Sequence, residues 1–384
     1  MNRRLPGRQA HAWLVVAALV ALLTAGPAPG QSPTSPGAVA LSGETAATAF
    51  VGVIQDDAKT VSGSRPPTAN RPVEVGSWTE FVSAFGDRQP GTRGGSAEDA
   101  TAARNLRLAV HGFFANGGTR AWIVRVPTAS GLADLRRPLG TLNSVDVDLV
   151  AVPGAVSARQ HDAILDHVEA AGDRVALLDG QPSPSRVSAG DVRASRRNSD
   201  RAVLLFPWIT IHDRQSRATV VLPPSGHVAG VIARNDRRQG VHEAPANLPV
   251  SDAAAPERQL SRSEVSGLAS NGVILLLDGS GASGVRTWGA RTLGGDANGE
   301  FRYVNVRRTV DQVRKQVLER NPASCQAARA DAELLLERMW RSGVLQGATP
   351  SDAWFARCET DGLLLGLSIL RPTEFISLRI PVAP

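Results

Sequence analysis

The stretch Leu222–Asn247 reads LPPSGHVAGVIARNDRRQGVHEAPAN, and it decides the fold that we expect for this chain. After the stiff pair Pro223-Pro224, Ser225 is placed to cap a helix. Small and apolar residues recur at helical spacing from there until Gly240, which allows the helix to stop. The stretch therefore predicts one short helix.

One face of this predicted helix carries almost no side-chain bulk. Its residues are Gly226, Ala229, Gly230 and Ala233. A neighbouring backbone or aromatic ring can approach such a face closely, because no long side chain keeps it away. The pattern indicates a helix built for packing and not for chemistry.

A second segment, Gly284–Leu293, follows about forty residues later and reads GVRTWGARTL. In this order the segments resemble the tail sheath proteins of contractile phage tails and contractile injection systems. That family carries "P-P-S-G-x-x-A-G-x-x-A-R-x-D", then "G-V-x-x-A-P-A-N", then "W-G-A-R-T-L". The residues that we expect to act in packing, by this resemblance, are Ser225, Gly226, Ala229, Gly230, Arg234, Asp236, Trp288 and Arg291.

Other pieces of the chain extend the resemblance from about residue 46 to residue 380. Ser77–Gly86 matches "S-W-T-E-F…F-G", and Gly112–Gly118 matches "G-F-F-x-N-G-G". Near the end, Pro372 and Glu374–Ile376 match the family's "P-x-E-F-I". The acidic arm "P-G-V-Y-x-E-E" that begins family members is missing, because Pro36-Gly37 leads into apolar residues.

The pattern of the middle of the chain predicts an α/β fold. The predicted elements are strand Val145–Val152, helix Ser157–Ala171, strand Arg174–Leu178, helix Ala189–Arg197, strand Ala202–Ile211 and strand Thr219–Leu222. This alternation indicates a largely parallel sheet covered by helices. Two helices, Thr309–Arg320 and Ala327–Ser342, then precede a β-rich end, so we expect a smaller α+β C-terminal domain.

The resemblance adds that the first of these domains is subtilisin-like in fold. We place this sheath domain at residues 46–298 and the sheath C-terminal domain at residues 299–384. Residues 1–30 are expected to be a signal peptide and residues 31–45 a flexible linker.

The N-terminal residues predict export. Arg3, Arg4 and Arg8 precede the apolar run Trp13–Leu23, and cleavage is expected near Gly30. A stable membrane span would need about 20 apolar residues, so we expect none here. The predicted location is periplasmic or extracellular. A wrongly chosen start codon is the alternative, and the protein would then be cytoplasmic or part of a virion tail.

The charged residues argue against a nucleic-acid partner. The chain has 384 residues and a net charge of +6, but its basic residues, nearly all arginine, are spread along the sequence. A nucleic-acid surface would collect them on one face.

The chain contains two cysteines, Cys325 and Cys358, which allow one intramolecular pairing. Export would make a disulfide feasible, whereas in the cytosol both would be buried thiols. The sequence leaves both states open.

The catalytic and cofactor patterns are weak. Gly279–Gly284 satisfies G-x-G-x-x-G, but a strand follows where a dinucleotide site needs a helix, so we predict a hairpin turn and no cofactor. Ser225 and His227 are a tempting pair for hydrolase chemistry, yet the chain has no G-x-S-x-G elbow. His161 and His167 are six residues apart on one helix, which suits surface histidines better than metal ligands.

We therefore expect a non-enzymatic structural subunit that associates with itself into a helical tube around an inner tube. Inner tube and baseplate proteins are the other partners that the resemblance implies. The candidate assembly strand comprises Phe375, Ile376, Ser377 and Leu378. The missing arm and the export signal make a non-contractile exported derivative a variant of this hypothesis. The alternative is an exported α/β hydrolytic enzyme, which would bring a serine, a histidine and an acid together near the strand ends.

Overall fold

A large sheet with helices on both faces organises the computed structural model. The structure describes residues 41, 44–55, 60–87, 96–128, 131–214, 216–279 and 284–382, which lie within one compact unit. The strands are β1 (Thr48–Val53), β2 (Pro72–Val75), β3 (Ala121–Val126), β4 (Leu149–Ala151), β5 (Val175–Asp179), β6 (Ala202–Phe206), β7 (Ile209–Asp213), β8 (Ala218–Leu222), β9 (Ala255–Pro256), β10 (Val273–Asp278), β11 (Val285–Trp288), β12 (Trp354–Glu359), β13 (Gly362–Leu367) and β14 (Ile376–Ile380).

Helices of very different lengths connect these strands. They are α1 (Trp78–Phe85), α2 (Ala97–Ala115), α3 (Arg136–Gly140), α4 (Ala158–Ala171), α5 (Ala189–Val192), α6 (Ser225–Gln239), α7 (Arg262–Ser270), α8 (Val304–Glu319), α9 (Cys325–Arg341) and α10 (Pro350–Ala353). Short 3₁₀ helices cover Thr141–Ser144 and Gly295–Phe301.

The predicted largely parallel sheet is confirmed. The eight strands lie in the order β11-β10-β6-β5-β4-β1-β3-β2, and only the outer strands β11 and β2 run antiparallel to their neighbours. The inner strands β1 and β6 are buried along their whole length, as expected of strands covered on both faces.

A separate hydrophobic core fills each side of this sheet. One core packs α1, α2 and α6 on the sheet through residues such as Phe81, Phe113 and Ile232. The opposite core packs α4 and α7 through Leu165 and Leu268. The two cores use alternate residues of the same strands, since successive side chains of a strand point to opposite faces.

The α-then-β end of the chain is also confirmed. Helices α8 and α9 pack on an antiparallel sheet in the order β12-β13-β14, around a third hydrophobic core that includes Val313, Leu336 and Leu365. The domain boundary at residue 298 stays a prediction. Of the predicted flexible linker, residues 31–40, 42 and 43 lie outside the described residues, and Thr45 is buried. The expected signal peptide, 1–30, lies outside the described residues.

The predicted strand Ala202–Ile211 is wrong in one respect, because it is two strands. β6 ends at Phe206, and β7 begins at Ile209 in a different sheet, in the order β8-β7-β9. Pro207 lies at the break and has no N–H to continue the hydrogen-bonded ladder. The strand β9 has only two residues and escaped the sequence pattern.

The predicted helix Ala189–Arg197 is wrong in length. Only α5 is helical, and the chain then takes an irregular path that side chains hold in place. Arg193 donates to the carbonyl of Arg197 (2.6 Å), and Ser195 donates to Asp162 on α4 (2.6 Å). Such tertiary hydrogen bonds compete with the helix and cannot be seen in local periodicity.

The cysteines left open by the sequence form a disulfide between Cys325 and Cys358. The predicted hairpin is consistent with the antiparallel pairing of β10 and β11, although residues 280–283 of the turn lie outside the described part. None of the helices in that described part combines the length and the hydropathy that a membrane span requires.

Candidate functional site

Helix α6 contacts helix α2 backbone to backbone, and its glycines make this possible. A Cβ added to Gly226 would lie 2.3 Å from the carbonyl oxygen of Ala109, and one added to Gly230 would lie 2.3 Å from that of Phe113. Real Cβ atoms do not come so close to backbone atoms. The bare face of α6 is therefore the surface on which α2 rests.

A histidine of α6 also packs closely against a glycine of α2 at this helix contact. The imidazole of His227 occupies the space where Gly112 of α2 has no side chain, since a Cβ there would lie 2.2 Å from the ring. His227 is fully buried, and neither ring nitrogen has a hydrogen-bond partner. Burial lowers the pKa of His227 to about 4, so the ring is neutral at ordinary pH.

The start of α6 is fixed by a carboxylate on the central sheet. Ser225 donates its backbone N–H to Oδ1 of Asp179 (3.0 Å) and its hydroxyl to Oδ2 (2.9 Å). The N–H of Gly154 donates to the same Oδ2 (3.1 Å). The prediction that Ser225 caps the helix is wrong, because Pro224 holds the cap position and Asp179 accepts the first N–H instead.

Burial governs the charge of Asp179. Desolvation raises its pKa to about 7, and the hydrogen bonds from Gly154 and Ser225 oppose that rise. The carboxylate therefore changes its protonation near neutral pH while it holds the start of α6.

The surroundings of Ser225 do not resemble a hydrolase centre. The residue is fully buried, and its hydroxyl donates straight to a carboxylate. His161 was expected at the surface, but it is buried and its Nε2 lies 2.9 Å from the carbonyl oxygen of Ala155. A nucleophile needs an adjacent base and access to substrate. Ser225 lies beside the Asp179 carboxylate but is fully buried, so substrate cannot reach it and the geometry gives the enzyme hypothesis no support there.

The second half of α6 is tied to the end of α2. Arg234 donates to the carbonyl of Asn116 (2.9 Å) and to that of Pro249. Asn116 is fully buried and exchanges two hydrogen bonds with the backbone of Ser251 (3.0 and 2.7 Å). Arg234 and Asn116 therefore join α6, α2 and the loop before β9.

The end of α6 is tied to α8 by a buried ion pair. Arg308 donates through both terminal nitrogens to Asp236 (3.1 and 2.5 Å), and the two side chains are only 4% and 2% exposed. The hydroxyl of Thr45 also donates to Asp236 (2.8 Å), and Arg308 donates to the carbonyl of Thr45. The pair therefore connects the central sheet domain with the first C-terminal helix.

Trp288 does not pack in the interior of the chain, which corrects our expectation for it. The residue is 49% exposed on the edge strand β11. Val285 and Thr287 of this strand are buried, so the alternation of side chains turns Trp288 outward. Arg291 is partly exposed and lies 3.5 Å from Asp296.

The candidate assembly strand coincides largely with β14, which is an edge strand. Within the described residues β14 pairs only with β13, so its other side presents a free row of backbone groups. Ile376 and Leu378 are buried, whereas Ser377 is exposed. Phe375 precedes the strand and contacts the ring of Phe355 edge-on, with centroids 5.2 Å apart.

Sequence reasoning missed the buried charges between α8 and the central sheet. Asp311 accepts from Arg201 (2.9 Å) and Arg307 (2.8 Å), and Asp148 accepts from Gln312 (2.6 Å). Desolvation raises the pKa of Asp148 to about 6, and Lys315 opposes that rise. A signal was present, because charged residues of α8 occupy helical positions between buried valines.

Comparisons with known proteins agree with this architecture. Residues 130–293 match the family model of the phage tail sheath protein central domain. The tail sheath protein of Burkholderia phage BcepMu is 28% identical over 184 residues, which are 46% of this chain and 36% of that protein. The chain thus matches about a third of the length of this curated relative.

Solved structures of other proteins share the fold over nearly the whole chain. In the baseplate of the anti-feeding prophage, the similar chain has a TM-score of 0.67, 22% identity, and coverage of 94% of this chain and 100% of its own. A chain of the sheath complex of an extracellular contractile injection system, PVC, in the contracted state has a TM-score of 0.65 and 22% identity. The match covers 93% of this chain and 98% of that chain. A sheath tail protein from Listeria innocua has a TM-score of 0.59 and 10% identity, and the match covers 91% of this chain and 99% of that protein. The resemblance to the tail sheath family is confirmed.

The helix crossing predicts a sharp difference between two glycine substitutions. We expect Gly226→Ala to destabilise the protein by about 1–3 kcal/mol, because the added methyl group forces α2 and α6 apart. Gly267→Ala on α7 is the control, since a Cβ there meets nothing within 4 Å and the helix gains up to about 1 kcal/mol. Denaturant unfolding measures both, and equal stability of the two variants would contradict the close contact.

The buried ion pair predicts a large effect of Arg308→Met. The variant leaves the Asp236 carboxylate buried without its cation, which we expect to cost about 3–5 kcal/mol. Arg341→Met is the matched control, because its side chain is 73% exposed and its pair with Glu337 contributes about 0.5 kcal/mol or less. Thermal and denaturant unfolding measure the stability of both variants. If Arg308→Met and Arg341→Met lost similar amounts of stability, the pair would not connect α6 with α8 as described.

The raised pKa of Asp179 predicts a pH dependence of stability. The folded state holds this proton more tightly than the unfolded state, so the stabilisation is complete below about pH 4 and is lost as pH rises through 7. We therefore expect the unfolding free energy of the wild type, minus that of Asp179→Asn, to decrease as the pH rises from about 4 to about 7. Unfolding free energies at several pH values test this, and a constant or rising difference would refute it.

Proposed function

We propose that this chain is a structural sheath subunit that associates with copies of itself into a tube. The tail sheath central domain and the likeness to chains of contractile particles support this proposal. The single observation that carries it is that β14 pairs with β13 alone among the described strands, which leaves its other edge free.

An edge strand offers directional bonds to a neighbouring subunit. Backbone N–H and C=O groups on the free side of β14 can pair with a strand from another copy, and the sheet then continues across the contact. The buried side chains of Ile376, Leu378 and Ile380 anchor the strand on its core, so the free row of groups keeps a fixed direction. A fixed direction at each contact is what a regular tube requires.

In this proposal the two domains have different roles, and the motif residues of α6 belong to the first of them. In our proposal the 46–298 domain is a rigid body built on the α2–α6 crossing, and the 299–384 domain carries the contact strand. Asp236 and Arg308 hold the two together. Inner tube and baseplate proteins are the further partners that we propose.

We further infer that the subunit is an exported derivative that does not contract. The N-terminal residues carry the export pattern, and the acidic arm of the family is absent from the sequence. Electron microscopy of the purified protein, with a parallel mass measurement over a range of concentrations, tests assembly. Regular tubes are expected, whereas a strict monomer at high concentration would refute the proposal.

The β14 edge predicts a specific effect of Ser377→Pro. The substitution removes one backbone donor from the contact strand and takes no side chain from the core, because Ser377 is exposed. We expect the variant to remain folded and to lose the tubes. Ser377→Thr is the matched control, since it keeps the N–H and should assemble as the wild type does.

Unfolding curves of both variants establish that the fold is retained. Tubes formed by a folded Ser377→Pro protein would show that β14 is not the contact strand. Loss of tubes in Ser377→Thr as well would show that the side chain at this position, changed there by one methyl group, and not only the backbone donor, determines assembly.

A further inference from the structure

The disulfide lies on the same sheet as the proposed contact strand. Cys325 is the first residue of α9, and Cys358 lies in β12, with Cα atoms 5.9 Å apart. The bond closes a loop between residues 33 apart in sequence, which contains α9 and α10. It therefore ties the helix layer covalently to the sheet.

The strand register carries this tie across to β14. Cys358 pairs with Leu363 of β13, and Leu363 pairs with Ile380 of β14. The three residues form one row across the sheet, from the edge that holds the disulfide to the edge proposed for assembly. Fixing the first residue of the row restricts movement of the other two.

The strand β12 depends on this bond more than β13 does. Each residue of β12 is partly or fully exposed, whereas nearly every residue of β13 is buried. A strand with few buried side chains has little hydrophobic free energy to hold it. The disulfide fixes β12 in position, whereas side-chain packing fixes β13.

We propose that Cys325–Cys358 is a redox-sensitive clamp that keeps the C-terminal sheet, and with it the β14 edge, ready for assembly. This inference rests on the proposed function for its consequence, although not for the clamp itself. An oxidising compartment keeps the clamp closed, in agreement with the proposed export.

A dithiol reductant opens the clamp in two steps. Its thiolate attacks one cysteine sulfur, breaks the S–S bond and forms a mixed disulfide, and the cysteine thiolate released takes up a proton. The second thiol of the reductant then displaces the other cysteine and closes its own disulfide. Two electrons and two protons pass from the dithiol to Cys325 and Cys358.

Loss of the loop closure has a measurable size. For a loop of this length the chain-entropy account predicts that the opened form of the sheet becomes about 100- to 1000-fold more populated. Backbone amides that exchange through this opening should therefore exchange faster by about the same factor. The amides of β12, β13 and β14 should respond, whereas those of β5 and β6 in the central sheet should not.

Hydrogen exchange followed by mass spectrometry, on the whole protein with and without dithiothreitol, tests the clamp. The variant Cys325→Ser with Cys358→Ser is the control, and it should exchange fast in both conditions. Unchanged exchange of β12–β14 on reduction would overturn the clamp, as would two free thiols in the protein purified without reductant.

Electron microscopy of the same samples tests the consequence for assembly. We expect tubes in the oxidised protein, their loss in dithiothreitol and their return on reoxidation. Faster exchange with tubes unchanged would overturn the control of assembly. Absence of tubes in both states would overturn the proposed function, and the clamp is then judged by exchange alone.

Discussion

The backbone contact between α2 and α6 is the constraint on which the rest of the structure depends. Gly226 and Gly230 allow this contact, and any side chain at these positions would push the helices apart. Because α6 lies flat on α2, its two ends reach different parts of the molecule. Its start meets Asp179 at the end of β5, and its end presents Asp236 to α8. The helix α6 thus fixes the orientation of α8 relative to the central sheet.

Buried charges complete this orientation. Apolar side chains between α8 and the central sheet would tolerate small shifts, since hydrophobic contact has no direction. The ion pairs of Arg308 with Asp236 and of Arg201 and Arg307 with Asp311 tolerate few geometries, and an unpaired charge there is costly. Their desolvation offsets much of their attraction, so we infer that they specify one arrangement of α8 more than they stabilise it.

The sequence predicted the features that depend on local chemistry. Residues close in the chain set the helix α4, the strand β5 and the stop of α6 at Gly240. The candidate assembly strand was chosen from the resemblance to the sheath family, whereas its alternating apolar residues predict only a half-buried strand.

The features that the sequence did not predict depend on residues far apart in the chain. Ser225 looked like a cap until Asp179, 46 residues away, was placed beside it. The exposure of Trp288 depends on where β11 lies in the strand order, and the burial of His161 depends on the loop at Ala155. No periodicity records such contacts, because each requires the topology first.

The residues of α6 that match the sheath-family pattern lie mostly in the interior of this subunit. The motif residues of α6 hold the layers of one subunit together, and this task is the same whether or not a particle contracts. The disulfide lies in the C-terminal elements, on the same sheet as the proposed contact strand. A clamped C-terminal sheet suits a contact that is made once and kept, because repeated rearrangement of that sheet would work against a covalent bond. In our proposal, the covalently fixed C-terminal sheet is therefore what distinguishes this subunit from one built to contract.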